Sequence, residues 1–207
     1  SGPTYEPLDP VRFIGNRSSG KQGHAIARSL HAMGADVTLI TGPVALPDPA
    51  GINTVHVETA IEMLNACQSA LPADIAVCAA AVSDWSAVAV NRNKIKKQDG
   101  RASPDISLKE NPDILATLAA SPNRRPKLLI GFAAETENLE ENAEIKRRKK
   151  KLPLLAANLV QEAIGSEDCT LILFDNAGKH HLPCAPKIEQ ARRLIKHISL
   201  LQEKQKA

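Results

Sequence analysis

Gly15-Asn16-Arg17-Ser18-Ser19-Gly20-Lys21-Gln22-Gly23 runs directly into Ala25-Ile26-Ala27-Arg28-Ser29-Leu30-His31-Ala32-Met33. The first stretch is a loop rich in glycine and hydroxyls; the second has the apolar periodicity of a helix. A helix start of this composition suits a phosphate, because free backbone N–H groups and the positive end of the helix dipole point at the anion. The spacing predicts a helix that begins after Ser18-Ser19, takes a hydroxyl as N-cap and stops at Gly34.

Outward from this loop, strand and helix patterns alternate. Asp36–Thr41 reads as a buried strand closed by Gly42-Pro43, and Thr54–Val57 as a short one. Thr59 is expected to cap a helix through Leu71. Asp74–Val82 is the most continuous apolar run of the chain and reads as a buried strand. Ser83–Pro104 is polar and longer than a usual connection, so a functional flap-like loop is expected over about 83–104. Asn111-Pro112-Asp113 predicts a helix start, with Asn111 as N-cap and Pro112 at the first helical position. Lys127–Ala134 and Leu154–Asn158 read as strands around a helix from about Asn138 to Lys151, acidic first and basic last. Cys169–Phe174 and Lys179–Pro183 form a predicted hairpin, an amphipathic helix starts near Pro186, and Glu203–Ala207 reads as a solvated tail. The expected fold is one α/β domain over 1–207: Rossmann-like, three-layered, with a mainly parallel sheet and an antiparallel C-terminal hairpin extension.

Composition narrows the function. With 207 residues the chain is long enough for a sizeable core, and its net charge of +3 is mild. One Trp, one Tyr and three Phe leave no stacking platform for single-stranded nucleic acid, so no nucleic-acid partner is expected. Six basic residues, Lys146–Lys151, form one run without aromatic neighbours. Cys67, Cys78, Cys169 and Cys184 lack zinc-ligand spacing, and Cys78 reads as a buried small hydrophobe. His180 and His181 should point to opposite faces of a strand, which argues against joint metal ligation; no protein-held metal is expected. Free thiols and the lack of a membrane-length apolar run lead to the expectation of a cytoplasmic protein without a membrane partner.

Three enzyme classes write similar loops. Gly15-x-x-x-x-Gly20-Lys21 matches most of a P-loop, but Gln22 stands where a magnesium-binding hydroxyl is needed. A short-chain dehydrogenase needs a Tyr and a Lys four apart, and the one tyrosine, Tyr5, has Asp9 at that spacing. The third reading takes in the flanks. The opening Gly2-Pro3-Thr4 through Lys21 resembles that of the phosphopantothenate–cysteine ligases of coenzyme A biosynthesis, the bacterial CTP-dependent type above all. Further matching islands follow in order: Ala79-Ala80-Ala81-Val82-Ser83-Asp84-Trp85, Lys94-Ile95-Lys96-Lys97, Asn111-Pro112-Asp113-Ile114, Gly131-Phe132-Ala133-Ala134-Glu135-Thr136 and Ala157-Asn158. The resemblance covers nearly the whole chain.

That resemblance implies a ligase that joins 4′-phosphopantothenate to L-cysteine through an acyl-cytidylate, releasing pyrophosphate and then CMP, with Mg2+ on the triphosphate. It implies Asn16 and Lys94 as the catalytic residues, Lys94 being carried by a closing flap. It assigns CTP binding to Gly15, Ser18, Ser19, Gly20, Lys21, Ala79, Ala80, Asp84, Asn111, Pro112, Asp113, Ile114, Phe132, Lys146 and Lys150. Arg12, Asn16 and Ala81 are assigned to the acyl substrate. It further implies a homodimer and an association with a flavin-dependent phosphopantothenoylcysteine decarboxylase. The family's usual first strand, ahead of Gly2-Pro3-Thr4, has no counterpart before residue 1. Plainer roles fit many of the same letters: an Asn16 turn in a left-handed conformation, an Arg12 surface ion pair, and a Lys146/Lys150 helix end favoured by the dipole. A P-loop-like nucleotide phosphatase or kinase and a non-catalytic nucleotide-binding relative are the alternatives.

Overall fold

A computed structural model describes residues 1–96, 105–121, 124–163 and 165–206. The last part of the expected flap, 97–104, lies outside these residues.

The chain opens with β1 (Tyr5–Pro7) and β2 (Phe13–Gly15), an antiparallel pair that delivers the glycine loop to α1 (Lys21–Ala32). Next, β3 (Thr38–Thr41) and β4 (Asn53–His56) pair in parallel, and α2 (Ala60–Ser69) leads to β5 (Ile75–Cys78). β6 (Trp85–Ala87) pairs antiparallel with β7 (Leu108–Glu110), so the expected loop over 83–104 contains a strand near its start, whose partner follows the loop. α3 (Ile114–Ala120), β8 (Leu128–Glu135), α4 (Leu139–Lys149), β9 (Leu154–Leu159) and the single turn α5 (Val160–Ala163) follow. The hairpin of β10 (Asp168–Asp175) and β11 (Gly178–Pro186) then precedes α6 (Lys187–Lys206).

The central sheet has the order β11-β10-β9-β8-β5. β5, β8 and β9 run parallel, while β10 and β11 add to the β9 edge in antiparallel fashion. Alternation along the strands builds two cores. Leu128, Ile130, Leu154, Ala156 and Leu173 face α1 and α6 through Ile26, Ala191, Leu194 and Ile198. The intervening Leu129, Ala133, Leu155 and Ala157 face Met63, Leu115, Leu118 and Ala143 of α2, α3 and α4. Burial on both faces explains why β8 and β9 read as nearly unbroken apolar runs. Each fully buried leucine stabilises the fold by about 1.5–3 kcal/mol. The predicted three-layer α/β architecture is the observed one.

Local departures have identifiable causes. The N-cap of α1 is Gly20, held at φ 72°, and no side chain caps the helix; Ser18 Oγ instead accepts from the Gly20 N–H at 3.3 Å. A left-handed residue is needed there, and glycine adopts it without Cβ strain. The N-cap of α3 is Asp113, not Asn111: Asp113 Oδ1 accepts from the Ala116 N–H at 2.9 Å. α2 does begin at the expected cap, with Thr59 and Glu62 forming a reciprocal capping box worth about 1 kcal/mol. β5 stops at Cys78 and is only half-buried, because β8 is its single hydrogen-bonded neighbour. The expected tail from Glu203 continues α6 as far as Lys206, with Glu203 exposed.

α4 is fastened by its own charges. Arg147 donates to both Glu144 carboxylate oxygens, at 2.7 and 2.9 Å, and Arg148 donates to one at 2.7 Å. The Arg147 hydrogen bonds, opposed by partial burial and aided by Arg148, bring the Glu144 pKa from 4.5 down to about 2. A carboxylate whose folded pKa is depressed stabilises the fold fully above its unfolded value and loses that contribution as pH falls through the folded one. The thermal stability advantage of the wild type over Glu144→Gln is therefore expected to be constant above about pH 5 and to shrink between about pH 4.5 and pH 2. Melting curves of the two proteins across that range check it; a gap that does not change with pH would mean the carboxylate's charge is not responsible.

Candidate active site

A cleft of about 1140 Å3 opens at the C-terminal ends of β5 and β8 and runs between the facing strands β3 and β5. Ligands in open α/β sheets sit beyond strand C-termini in this way. Of the residues assigned to the nucleotide, Ala79, Ala80, Asp84, Asn111, Pro112, Asp113, Ile114, Phe132, Lys146 and Lys150 all line it. These positions run from 79 to 150 and meet because β5, β6, α3, β8 and α4 converge on one end of the sheet.

Lys146 and Lys150 bring positive charge to the end of the cleft beyond β8, while Lys127, also in its lining, is paired with Asp74. Lys146 Nζ donates to the Phe132 carbonyl at 2.9 Å, and Lys150 Nζ lies 2.5 Å from Asp113 Oδ2. Burial and the adjacent Lys150 charge lower the Lys146 pKa, against an upward pull from Glu135, Asp113 and Asp84. At Asp113, burial raises the carboxyl pKa, but hydrogen bonds from Lys150 and the Ala116 N–H outweigh it and the net shift is downward. Asp113 thus has two duties, capping α3 and anchoring Lys150. Burial pushes the Cys78 thiol up to about 12, so at neutral pH it is a protonated wall residue and not a nucleophile.

The rest of the predicted set lies at the margins. Gly15, Ser18, Ser19, Gly20 and Lys21 are not among the residues lining this cleft, although Gly23 of α1 is. Lys21 is ion-paired with Glu167. Asn16 is not left-handed; its Nδ2 donates at 2.9 Å to the carbonyl of Val82, a cleft residue, which ties the glycine loop to the rim. Ala81 forms a parallel bridge with Pro3. Lys94 is exposed, outside the cleft. Arg12 does form an ion pair, with Asp9 Oδ2 at 3.0 Å, and it also donates to the Ile95 carbonyl at 3.0 Å.

Two positioning residues escaped the sequence reading. Asp9 is buried, and its carboxylate accepts from the N–H groups of Val11 and Arg12, from the Arg12 guanidinium and from the Ile95 N–H. It therefore fixes the segment next to Lys94 against the hairpin that carries Arg12. The signal was Asp9-Pro10, a pair suited to a turn in which Asp accepts from the backbone two and three residues on. Thr4, wholly buried, accepts from the Ser83 N–H at 2.9 Å, while the Ser83 carbonyl accepts from Asn111 Nδ2 at 2.9 Å. No local sequence pattern announces a bridge spanning 79 residues.

Relatives share this arrangement of elements. The family described as "DNA/pantothenate metabolism flavoprotein C-terminal domain" matches residues 1–201. The chain is 45% identical over 203 residues to "Coenzyme A biosynthesis bifunctional protein CoaBC" of Escherichia coli (strain K12), covering 96% of this chain and 50% of that protein. It is 40% identical over 205 residues to the protein of the same name in Vibrio vulnificus (strain CMCP6), covering 97% and 51%. It spans about half the length of these curated relatives. Among solved structures, the C-terminal domain of a CoaBC superposes with a TM-score of 0.80 at 37% identity, over 99% of this chain and 93% of that one. A Cab2 H337A mutant complexed with phosphopantothenate-cysteine shares the fold, with a TM-score of 0.75 at 19% identity, over 99% of this chain and 85% of that one. The glycine loop, the sheet order and these matches place the chain in the DNA/pantothenate metabolism flavoprotein C-terminal domain family.

Proposed function

We propose that this domain is a ligase of coenzyme A biosynthesis that joins 4′-phosphopantothenate to L-cysteine at the expense of CTP. The carrying observation is the meeting, in one cleft, of Asp84, the Asn111–Ile114 segment, Phe132, Lys146 and Lys150. A carboxylate does not acylate an amine unaided, because oxide is a poor leaving group. In the proposed first step the phosphopantothenate carboxylate attacks the α-phosphorus of CTP and pyrophosphate leaves. In the second, the cysteine amine attacks the acyl carbon, and CMP leaves as the amide forms.

The chain's own contribution is charge and position. Lys146 and Lys150, one helical turn apart, neutralise the triphosphate from a single face of α4. Asp84 and the α3 start take the nucleoside. Asn16, tethered at Val82, reaches the acyl-cytidylate, and Ala81 and Arg12 contact the acyl substrate. The α1 N-terminus with Gly15, Ser18, Ser19, Gly20 and Lys21 faces the phosphates from the rim; Lys21 exchanges Glu167 for an anion. Lys94, on the segment clamped by Asp9, closes over the intermediate and excludes water. Mg2+ suits this cleft as an ion carried by the nucleotide: among the described residues its carboxylates are not grouped, and Asp113 is engaged with Lys150. The ion supplies charge neutralisation on the phosphates.

Two further parts belong to the same proposal. Phe13, Trp85, Val88, Val90 and Leu108 are each about half exposed on the neighbouring β1–β2 and β6–β7 hairpins, an apolar surface suited to the homodimer. The bifunctional relatives favour a flavin-dependent decarboxylase as the associated partner.

The test is incubation with CTP, phosphopantothenate and cysteine. CMP and pyrophosphate are expected only when phosphopantothenate is present. Pyrophosphate release that ignores phosphopantothenate would replace this reading with a plain nucleotide hydrolase. Asn16→Asp sets a second negative charge against the acyl-phosphate and is expected to slow turnover by about 10²-fold with little change in melting temperature. Unchanged kinetics would remove Asn16 from the site.

A further inference from the structure

Asp175, His180 and His197 meet at the far end of the β10–β11 hairpin, where none of them lines the cleft. They come from three elements: the last residue of β10, the third of β11, and the middle of α6. His180 Nε2 lies 3.1 Å from Asp175 Oδ1, and His197 Nε2 lies 2.9 Å from Asp175 Oδ2. The ring centroids are 4.6 Å apart. One ligand atom from each residue falls within 4.8 Å of the other two, and among the described residues this is the one such grouping of three.

We propose that Asp175, His180 and His197 form a binding site for a divalent transition-metal ion of the zinc type. Three features support it. First, the donor set is right: two imidazoles and a carboxylate suit Zn2+ or Co2+, whereas Mg2+ prefers oxygen ligands alone. Second, the spacing is right. Ligands at about 2.0–2.1 Å in tetrahedral array stand roughly 3.3 Å from each other; His197 Nε2 lies 2.9 Å from Asp175 Oδ2, and one ligand atom from each of the three residues falls within 4.8 Å of the others. Third, the carboxylate is pre-set. Asp175 Oδ1 accepts from the Ala177 and Gly178 N–H groups at 2.7 and 3.1 Å, which leaves Oδ2 as the ligand atom. Asp175 is buried, while the His180 side chain is 37% exposed and gives access for the ion and for water in the fourth position.

The charges around the site are compatible with a cation. Arg147, which feels the Asp175 charge, is bonded to Asn176 Oδ1 at 3.0 Å, and Glu144 neutralises it through two hydrogen bonds; Arg193, one turn before His197 on α6, is paired with Glu189. Lys179 and His181 turn to Glu140 instead. His181 thus takes the opposite face of β11, as expected for a strand neighbour, and the partner of His180 comes from α6. In the metal-free state both Nε2 atoms carry the proton donated to Asp175. On binding, a neutral imidazole moves that proton to Nδ1, and a charged one releases it to solvent. Ligation would then clip the hairpin to α6.

Titration of the purified chain with Co2+ and Zn2+ tests this. One Co2+ per chain is expected, with visible d–d absorption, and Zn2+ is expected to displace it and raise the melting temperature. His180→Gln, at a part-exposed position, should weaken binding by more than about tenfold, a loss typical of removing even an outer-shell partner. The double substitution His180→Ala/His197→Ala should abolish the absorption. Cys184→Ser, which removes the exposed thiol, should leave it intact. No Co2+ absorption, or a spectrum and stoichiometry unchanged in the folded His180→Gln protein, would overturn the site and leave the trio as a hydrogen-bonded clamp.

Discussion

Gly42→Ala is expected to lower stability by about 3 kcal/mol, a melting-temperature drop of about 6–12 °C. A methyl group added at Gly42 would lie 1.6 Å from the Pro3 carbonyl oxygen. That oxygen is backbone and has no rotamer to change, so one chain segment must move. Neither is free to. The Gly42 N–H donates to the Ser1 carbonyl, and Pro3 forms a parallel bridge with Ala81. Thr4 is bound through its hydroxyl to Ser83, and the Tyr5 N–H donates to Glu58. Retreat of Pro3 would drag Ala81 and Ser83, and so one wall of the cleft. Thermal melts measure the first effect and nucleotide binding the second. A melting temperature within about 2 °C of wild type would show that the 1–4 segment moves aside without cost.

Lys146→Met is the variant with the largest expected effect on the proposed chemistry. It keeps the aliphatic stem and deletes the charge. Pyrophosphate release should fall by about 10²–10³-fold, the scale of removing one preorganised donor from a developing anion. The Phe132 carbonyl loses its donor, so a stability loss of about 1 kcal/mol is expected beside the kinetic one. Lys146→Arg should recover part of the rate. The two quantities separate on measurement: a large drop in melting temperature with a small drop in rate would make Lys146 a structural residue.

The sequence made the layered architecture legible because the strands that form its centre, β8 and β9, are buried on both faces and carry unbroken apolar letters. It misjudged Asp74–Val82 for the same reason in reverse. An apolar run reports the wish for burial, not the number of hydrogen-bonded neighbours, and β5 has one. Helix starts were approximate because Ser, Asn and Asp compete for the capping role, and the backbone decides between them. At α1 a left-handed Gly20 displaced the serines, and at α3 Asp113 displaced Asn111.

The candidate site was legible as letters more than as geometry. Asp84 could be named from a matched island, and Lys146 and Lys150 from their four-residue spacing on one helix face, yet the Lys150–Asp113 ion pair joins residues 37 positions apart. Asp9 and Thr4 were missed because their partners Ile95 and Ser83 are more remote still. Likewise, the pairing of His180 with His197 depends on how α6 returns across the hairpin, which no local spacing encodes.

The Arg12 guanidinium is a shared resource. At rest it is divided between Asp9 and the Ile95 carbonyl, at the foot of the segment that carries Lys94. An anionic substrate that recruits Arg12 takes it from Ile95, and that segment is then held through Asp9 at the Ile95 N–H. Linkage makes the trade reciprocal: whatever the substrate removes from the resting tether, the tether removes from the substrate's affinity. In the proposed reaction, arrival of the acyl substrate would therefore remove one of the two tethers on the segment that carries Lys94 and leave the Ile95 N–H to Asp9 bond as the other.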